Sequence, residues 1–372
     1  MSVKEILGRF HEIAADPKAM KDKYLSEGRE IVLVNYYTPE EIVHSMGAVP
    51  MGAWGADVKI NEAKKYFPTF ICSIVQSAVE LGMKGEYAGA KAFIIPSLCD
   101  SLKVMGQNWK VAVPSIKFIP MTYPQNRKPE YGAQFTKAGY ERVISELEEL
   151  GLPRFSDEKL KASLSVYEEH NRVMNEVSEL MASHPEISNQ ERSDVFKSAF
   201  FMLKEEHTAL VKELINALKE QKPGTDKLKI MTSGIICDAP DILKILDENG
   251  LQIVCDDVCT ETRQYRASYK EKATALDSLV SKFCDMDQDT LLYDADKTRI
   301  DYIVEKAKKT GAKGVLLLLT KFCDPEEFDA PMIRKACEKA GLSVNIIEID
   351  RQMVNYEQAR TSIETFRDLL NG

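Results

Sequence analysis

The sequence predicts an α/β protein built from two doubly wound, Rossmann-like parallel-sheet domains joined by a helical segment. Three observations predict it. Runs such as residues 30–37 (EIVLVNYY) and 314–320 (GVLLLLT) are nearly continuous and apolar, the pattern of strands buried on both faces. These runs alternate with stretches of helical period, which implies parallel sheets and right-handed crossovers. The chain has 372 residues, beyond the size at which a single core usually stops growing. We place an N-terminal α/β domain at 1–150, a helical connector at 151–225 and a C-terminal α/β domain at 226–372.

Residues 2–27 read as helix, because Val3, Ile6, Leu7, Phe10 and Ile13 follow the helical period, with an interruption at Asp16-Pro17. After the strand at 30–37, Thr38-Pro39-Glu40-Glu41 has the form of a helix start, with Thr38 as cap and Pro39 in the first turn. A helix from about 68 to 82, a strand at 91–96, one or two short strands within 111–119 and a helix at 135–150 complete the first half. Residues 156–221 are helical in pattern with a break near His184-Pro185, and Pro223-Gly224 ends them. The second half has strands at 227–232, 251–255, 314–320 and 343–349, and helices at 242–248, 331–340 and 357–370. The halves repeat an architecture and not a sequence.

Composition narrows the function. A hydrophobic fraction of 44% and a charged fraction of 29% are ordinary for a globular protein. The net charge of -9 argues against a broad nucleic-acid surface and against anionic membranes. No apolar run is long enough to span a bilayer, and the acidic, amphipathic N-terminus is unlike a signal peptide, so a cytoplasmic location is expected. Eight cysteines in a reducing compartment are then buried hydrophobes or ligands for soft metal centres, not disulfides.

In parallel sheets, ligands bind beyond the carboxyl ends of the strands. Cys99 follows the strand at 91–96, Cys323 follows that at 314–320, and Cys255 and Cys259 lie at the end of that from Leu251. Cys72 falls in the first turns of a helix, where the N-terminal dipole favours a thiolate. None of these forms a C-x-x-C pair, so spacing leaves two readings open: metal ligands, or small apolar side chains at element ends. Cys255-x3-Cys259 has no second pair or nearby His, and Cys237, Cys284 and Cys337 read as core. Asp256-Asp257 suits acid–base work or a loop cap; Arg263 and Arg266 suit an anion or surface ion pairs. His44 reads as solvent-facing or satisfied in the core. No dinucleotide, P-loop, zinc-protease or nucleophile-elbow motif occurs, and no catalytic residue is assigned.

Longer strings carry a resemblance. Residues 37–50 (YTPEEIVHSMGAVP), 66–73 (YFPTFICS), 96–101 (PSLCDS), 106–109 (GQNW), 256–263 (DDVCTETR), 321–329 (KFCDPEEFD) and 357–361 (EQART) follow one another in order. Together they resemble the 2-hydroxyacyl-CoA dehydratase family, in particular the smaller (β) subunit of enzymes acting on 2-hydroxyisocaproyl-, phenyllactyl- or lactoyl-CoA. The resemblance implies that Cys72, Cys99 and Cys323 bind a 4Fe–4S cluster between the two α/β domains. It also implies a larger (α) partner subunit with its own cluster, an ATP-dependent iron–sulfur activator protein, and a 2-hydroxyacyl-CoA substrate dehydrated to 2-enoyl-CoA through a ketyl radical. This chain is then expected to relay or store the electron. Cys255 and Cys259 have no place in that ligand set. A subunit of a related aromatic acyl-CoA reductase and a non-enzymatic two-lobed small-molecule binding protein are the alternatives.

Overall fold

The computed structural model describes residues 1–225 and 227–372; the domain boundary at residue 226 lies outside them. In the first half, α1 (Val3–Ala15) and α2 (Pro17–Ser26) lead into β1 (Ile31–Val34), α3 (Glu40–Ser45), β2 (Val49–Gly52), α4 (Ser73–Met83), β3 (Ala90–Pro96), α5 (Asp100–Ala112), β4 (Lys117–Met121) and α6 (Glu130–Glu149). The connector is α7 (Asp157–Ala182), α8 (Asn189–Ser198) and α9 (Lys204–Lys219). The second half runs β5 (Leu228–Gly234), α10 (Pro240–Glu248), β6 (Leu251–Val258), α11 (Ala275–Asp285), α12 (Thr298–Thr310), β7 (Gly314–Thr320), α13 (Asp324–Lys339), β8 (Ser343–Ile349) and α14 (Glu357–Asn371).

Both sheets are parallel throughout, ordered β2-β1-β3-β4 and β6-β5-β7-β8. Renumbered from its own first strand, each reads 2-1-3-4, so the two halves share one topology. Alternate residues of β1 explain its unbroken apolar run: Ile31 and Leu33 pack on one face of the sheet, Val32 and Val34 on the other. In the second sheet Ile230 and Leu316 face one core, Met231 and Val315 the other. Gly234 closes β5 with φ of 159°, and a Cβ there would lie 2.4 Å from the Leu318 carbonyl oxygen, so only glycine lets the strand ends approach so closely.

Several elements differ from the sequence reading. The N-cap of α3 is Pro39, not Thr38; the Thr38 hydroxyl instead accepts from the Asn35 N–H (3.0 Å) and donates to the Ile94 carbonyl (3.3 Å). Strand β6 continues to Val258, so Cys255, Asp256 and Asp257 lie inside it. Helix α13 begins at Asp324 and carries Pro331 within it. Strand β2 and helices α5, α11 and α12 have no counterpart in the sequence reading, and α5 runs to Ala112, so the strand expected within 111–119 is confined to Lys117–Met121. Helix α11 folds back from the second half, and its Leu279 and Phe283 join the core formed by Val32, Ile94 and Ile119 of the first sheet. The N-terminal helix α1 packs Ile6 and Phe10 against connector residues Val177, Phe196 and Leu214.

Candidate functional site

Cys99 and Cys323 occupy equivalent places in the two halves. Each follows the third strand in its sheet, from Pro96 to Cys99 and from Thr320 to Cys323, three residues in both, and each is the N-cap of the next helix. Cys72 is the N-cap of α4, one position earlier than the first helical turn. Phe322, just before Cys323, adopts φ of 64°, a strained left-handed conformation for an aromatic residue that turns the chain sharply into α13.

Tertiary folding brings these three residues into one region. Cys72 is buried and Cys99 and Cys323 are half-buried against the same apolar core. The thiols are near enough to act on one another electrostatically. Burial pushes Cys99 up to about 11, with Cys72 adding to the rise. Burial raises Cys323 further, reinforced by Glu326 and then by Cys72 and Cys99. Burial also raises Cys72, while the N–H groups of Val75 and Ile74 and the Ser101 side chain pull it back. The amides of Leu102 and Ser101 act likewise at Cys99, and that of Glu326 at Cys323. Three helix N-termini therefore favour negative sulfur in a setting whose burial opposes it. Among the described residues, no group of three or more His, Cys, Asp or Glu converges as ligands to one metal ion. A polynuclear cluster attaches each thiolate to a different iron, so its ligands need not meet around a point.

A buried ionic network joins residues that the sequence reading left as an acid–base pair or loop cap (Asp256, Asp257) and as an anion site or surface ion pairs (Arg263, Arg266). Asp256 and Asp257 are fully buried. Asp257 accepts from Arg263 (Nη2, 3.0 Å) and Arg299 (Nε, 2.8 Å) on one oxygen and from Arg266 on the other. Burial opposes its ionisation, yet Arg263, Arg299 and Arg266 hold its carboxyl well below the usual range. Arg299 also donates to Glu326 (2.8 Å) and Asp329 (3.0 Å) in α13, the helix that Cys323 caps. Arg192 pairs with Asp256 and Glu261. Arg263 is thus fully engaged internally, and both terminal nitrogens of Arg266 are taken by Gln288 and Asp257, so neither offers a free fork to a substrate anion.

The other candidates resolve into structural roles. Cys259 accepts from Arg263 Nη1 at 2.8 Å, and Cys255 bonds Thr310 Oγ1 at 3.0 Å across to α12. Cys237, Cys284 and Cys337 are buried core residues. His44 is satisfied by Ser163 Oγ and Glu205, each at 2.9 Å. Arg299 and Glu326 escaped the sequence reading because an arginine near a helix start and a glutamate in a first turn are ordinary surface residues until their partners are known.

With this geometry in view, comparison with known proteins decides the family. The sequence pattern of the family described as "2-hydroxyglutaryl-CoA dehydratase, D-component" matches residues 35–370. The chain belongs to that family. It is 44% identical to the (R)-phenyllactyl-CoA dehydratase β subunit of Clostridium sporogenes, covering 97% of both chains. It is 36% identical to the lactoyl-CoA dehydratase β subunit of Anaerotignum propionicum, covering 99% of both. It is 34% identical to the (R)-2-hydroxyglutaryl-CoA dehydratase β subunit of Acidaminococcus fermentans, covering the whole of each chain. Among the described residues no helix is long and apolar enough to cross a membrane.

Proposed function

We propose that this chain is the β subunit of a 2-hydroxyacyl-CoA dehydratase, a hydro-lyase, and that Cys72, Cys99 and Cys323 hold a 4Fe–4S cluster between its two sheets. The observation that carries the reading is the gathering of three thiols, each at a helix N-terminus, in a chain of this family. The residues present suit the group: soft sulfur donors, three positive dipole ends and one apolar core against which all three cysteines pack. When bound, such a cluster supplies a single low-potential electron, with which a 2-hydroxyacyl thioester can lose hydroxide by way of a ketyl radical.

The chain's own residues then have three tasks. The helix N-termini stabilise the thiolate form of each cysteine. The surrounding side chains keep water from the sulfur atoms. The Arg299–Glu326 and Arg263–Glu326 contacts hold the first turn of α13, and with it Cys323, in place. The reading includes a larger α subunit with its own cluster that carries most of the substrate contacts, and an ATP-dependent activator that delivers the electron. Phe70, Phe322 and Phe328 stand exposed on the first turns, or just ahead, of helices that these cysteines cap, an apolar face suited to such a partner.

The test is anaerobic purification with the α subunit, followed by iron and sulfide determination on wild type and Cys99→Ala. A brown protein whose iron falls in Cys99→Ala is expected; full iron in that variant overturns the ligand assignment. Formation of 2-enoyl-CoA without net electron consumption is expected, whereas stoichiometric electron consumption would point to a reductase.

A further inference from the structure

Cys72 and Cys99 belong to the first half, whereas Cys323 comes from the second. Contacts inside the first half seat Cys72 on its own helix. The Gln76 side chain donates to the Ile71 carbonyl (2.7 Å). Glu80, one turn further along α4, accepts from the N–H groups of Asn61 (3.1 Å) and Ala63 (2.9 Å), in the long segment 53–72 that leads from β2 to Cys72. None of these contacts reaches the second half, so none fixes Cys72 relative to Cys323.

A short hydrogen-bonded path does so. Ser73, the residue after Cys72 and the first of α4, is buried, and its hydroxyl accepts from the Arg351 N–H at 2.9 Å. Arg351 lies two residues beyond the end of β8. That end of β8 is tied in turn to the approach to Cys323: the Lys321 N–H donates to the Ile349 carbonyl (3.0 Å), and the Cys323 N–H donates to the Thr320 carbonyl (2.9 Å). From Cys72 to Cys323 the path crosses two hydrogen bonds, one at Ser73 and one at Lys321.

The Arg351 side chain keeps that donor in place. Its guanidinium is largely buried and grips Asp238 with both terminal nitrogens, Nη1 at 2.9 Å and Nη2 at 3.1 Å. Asp238 follows β5 in the second half and also stands 3.3 Å from Lys197 in α8 of the connector. Arg351 Nη1 lies 3.5 Å from Asp57, in the same segment that leads to Cys72. Through its backbone and its side chain, one residue thus joins the second half, the connector and the part of the first half that carries Cys72.

We propose that Ser73 is a positioning residue for Cys72, and that its bond to Arg351 sets where this thiol stands with respect to Cys323. Groups behind a metal ligand orient it, and their loss is felt about 10–100-fold in metal affinity. The proposal rests on the reading of Cys72 and Cys323 as cluster ligands.

The experiment compares Ser73→Ala and Ser73→Thr with wild type in the anaerobically purified complex with the α subunit. This chain's share of the iron is the part missing from Cys99→Ala. Release of that share to the chelator bathophenanthroline is expected to be about tenfold faster in Ser73→Ala, the size of one hydrogen bond. The electron paramagnetic resonance signal of the same share, after reduction with dithionite, should change in shape. Ser73→Thr keeps the hydroxyl and should restore both the signal and a release rate within about twofold of wild type. These readouts follow the sulfur ligands, whereas urea unfolding records overall stability separately. If Ser73→Ala does not fold, Arg351→Met decides in its place: it keeps the N–H but frees it from Asp238 and Asp57, and release should rise about threefold. Wild-type release with an unchanged signal in the variant read, or a Ser73→Thr that behaves like Ser73→Ala, overturns the proposal. Failure of the ligand assignment itself is told apart by Cys72→Ala, which would then keep all its iron and take this proposal with it.

Discussion

The two halves share the strand order 2-1-3-4, yet they use the same framework for different purposes. After the third strand both present a cysteine that caps a helix, Cys99 in one and Cys323 in the other. The helix before the third strand differs. In the first half it is α4, capped by Cys72 in an apolar setting. In the second it is α12, whose start supplies Arg299 to Asp257, Glu326 and Asp329. A repeated topology thus yields two thiols by equivalence, while its unequal helices provide the third thiol on one side and a rigid ionic anchor on the other.

The sharpest way to break this comparison is to remove the equivalent thiols one at a time. Cys99→Ser and Cys323→Ser should each remove this chain's share of the bound iron, leaving that of the α subunit, and should abolish nearly all dehydratase activity, measured anaerobically on the complex. A variant that keeps both would end the equivalence. Next in size is Arg299→Met, which leaves Asp257, Glu326 and Asp329 short of a buried partner. Breaking a buried ionic network in this way costs about 3–5 kcal/mol, to be read from urea unfolding; a loss under about 1 kcal/mol would mean that the network is not the anchor described.

A smaller effect comes from the connector. His207 is held down to about 3 chiefly by burial, with Lys204 contributing, and His170 is lowered in the same way. Unfolded, both titrate near 6.5, so between that value and about 3 the unfolded chain binds more protons. Stability should therefore fall as pH drops below about 6.5, by about 1.4 kcal/mol per pH unit for each ring. Urea midpoints measured from pH 8 to 5 check this, and His207→Gln should flatten the slope. The smallest change is expected for Cys255→Ala: iron content unchanged, and a stability loss of about 1 kcal/mol from the bond to Thr310. Loss of iron there would bring Cys255 into the ligand set.

The sequence by itself determined the parallel α/β class, because continuous apolar runs such as 314–320 declare strands buried on both faces, and β7 and β8 begin and end where their pattern says. It also marked Cys99 and Cys323 as strand-end residues, since the carboxyl ends of parallel strands are where such folds bind ligands. Strand β2 was hidden by Pro50 and its short length, whereas α12 was readable, since Ile300, Ile303, Val304 and Ala307 recur at helical spacing. Only the tertiary structure decided that Cys72, grouped with the other two until then by resemblance alone, packs against the same core, that Asp257 and Arg263 are partners in a buried network, and that His170 meets His207. The physical reason is common to all three: local periodicity fixes which face a side chain occupies, but a thiol, a carboxylate or an imidazole takes its role from neighbours that chain folding brings from far away in sequence.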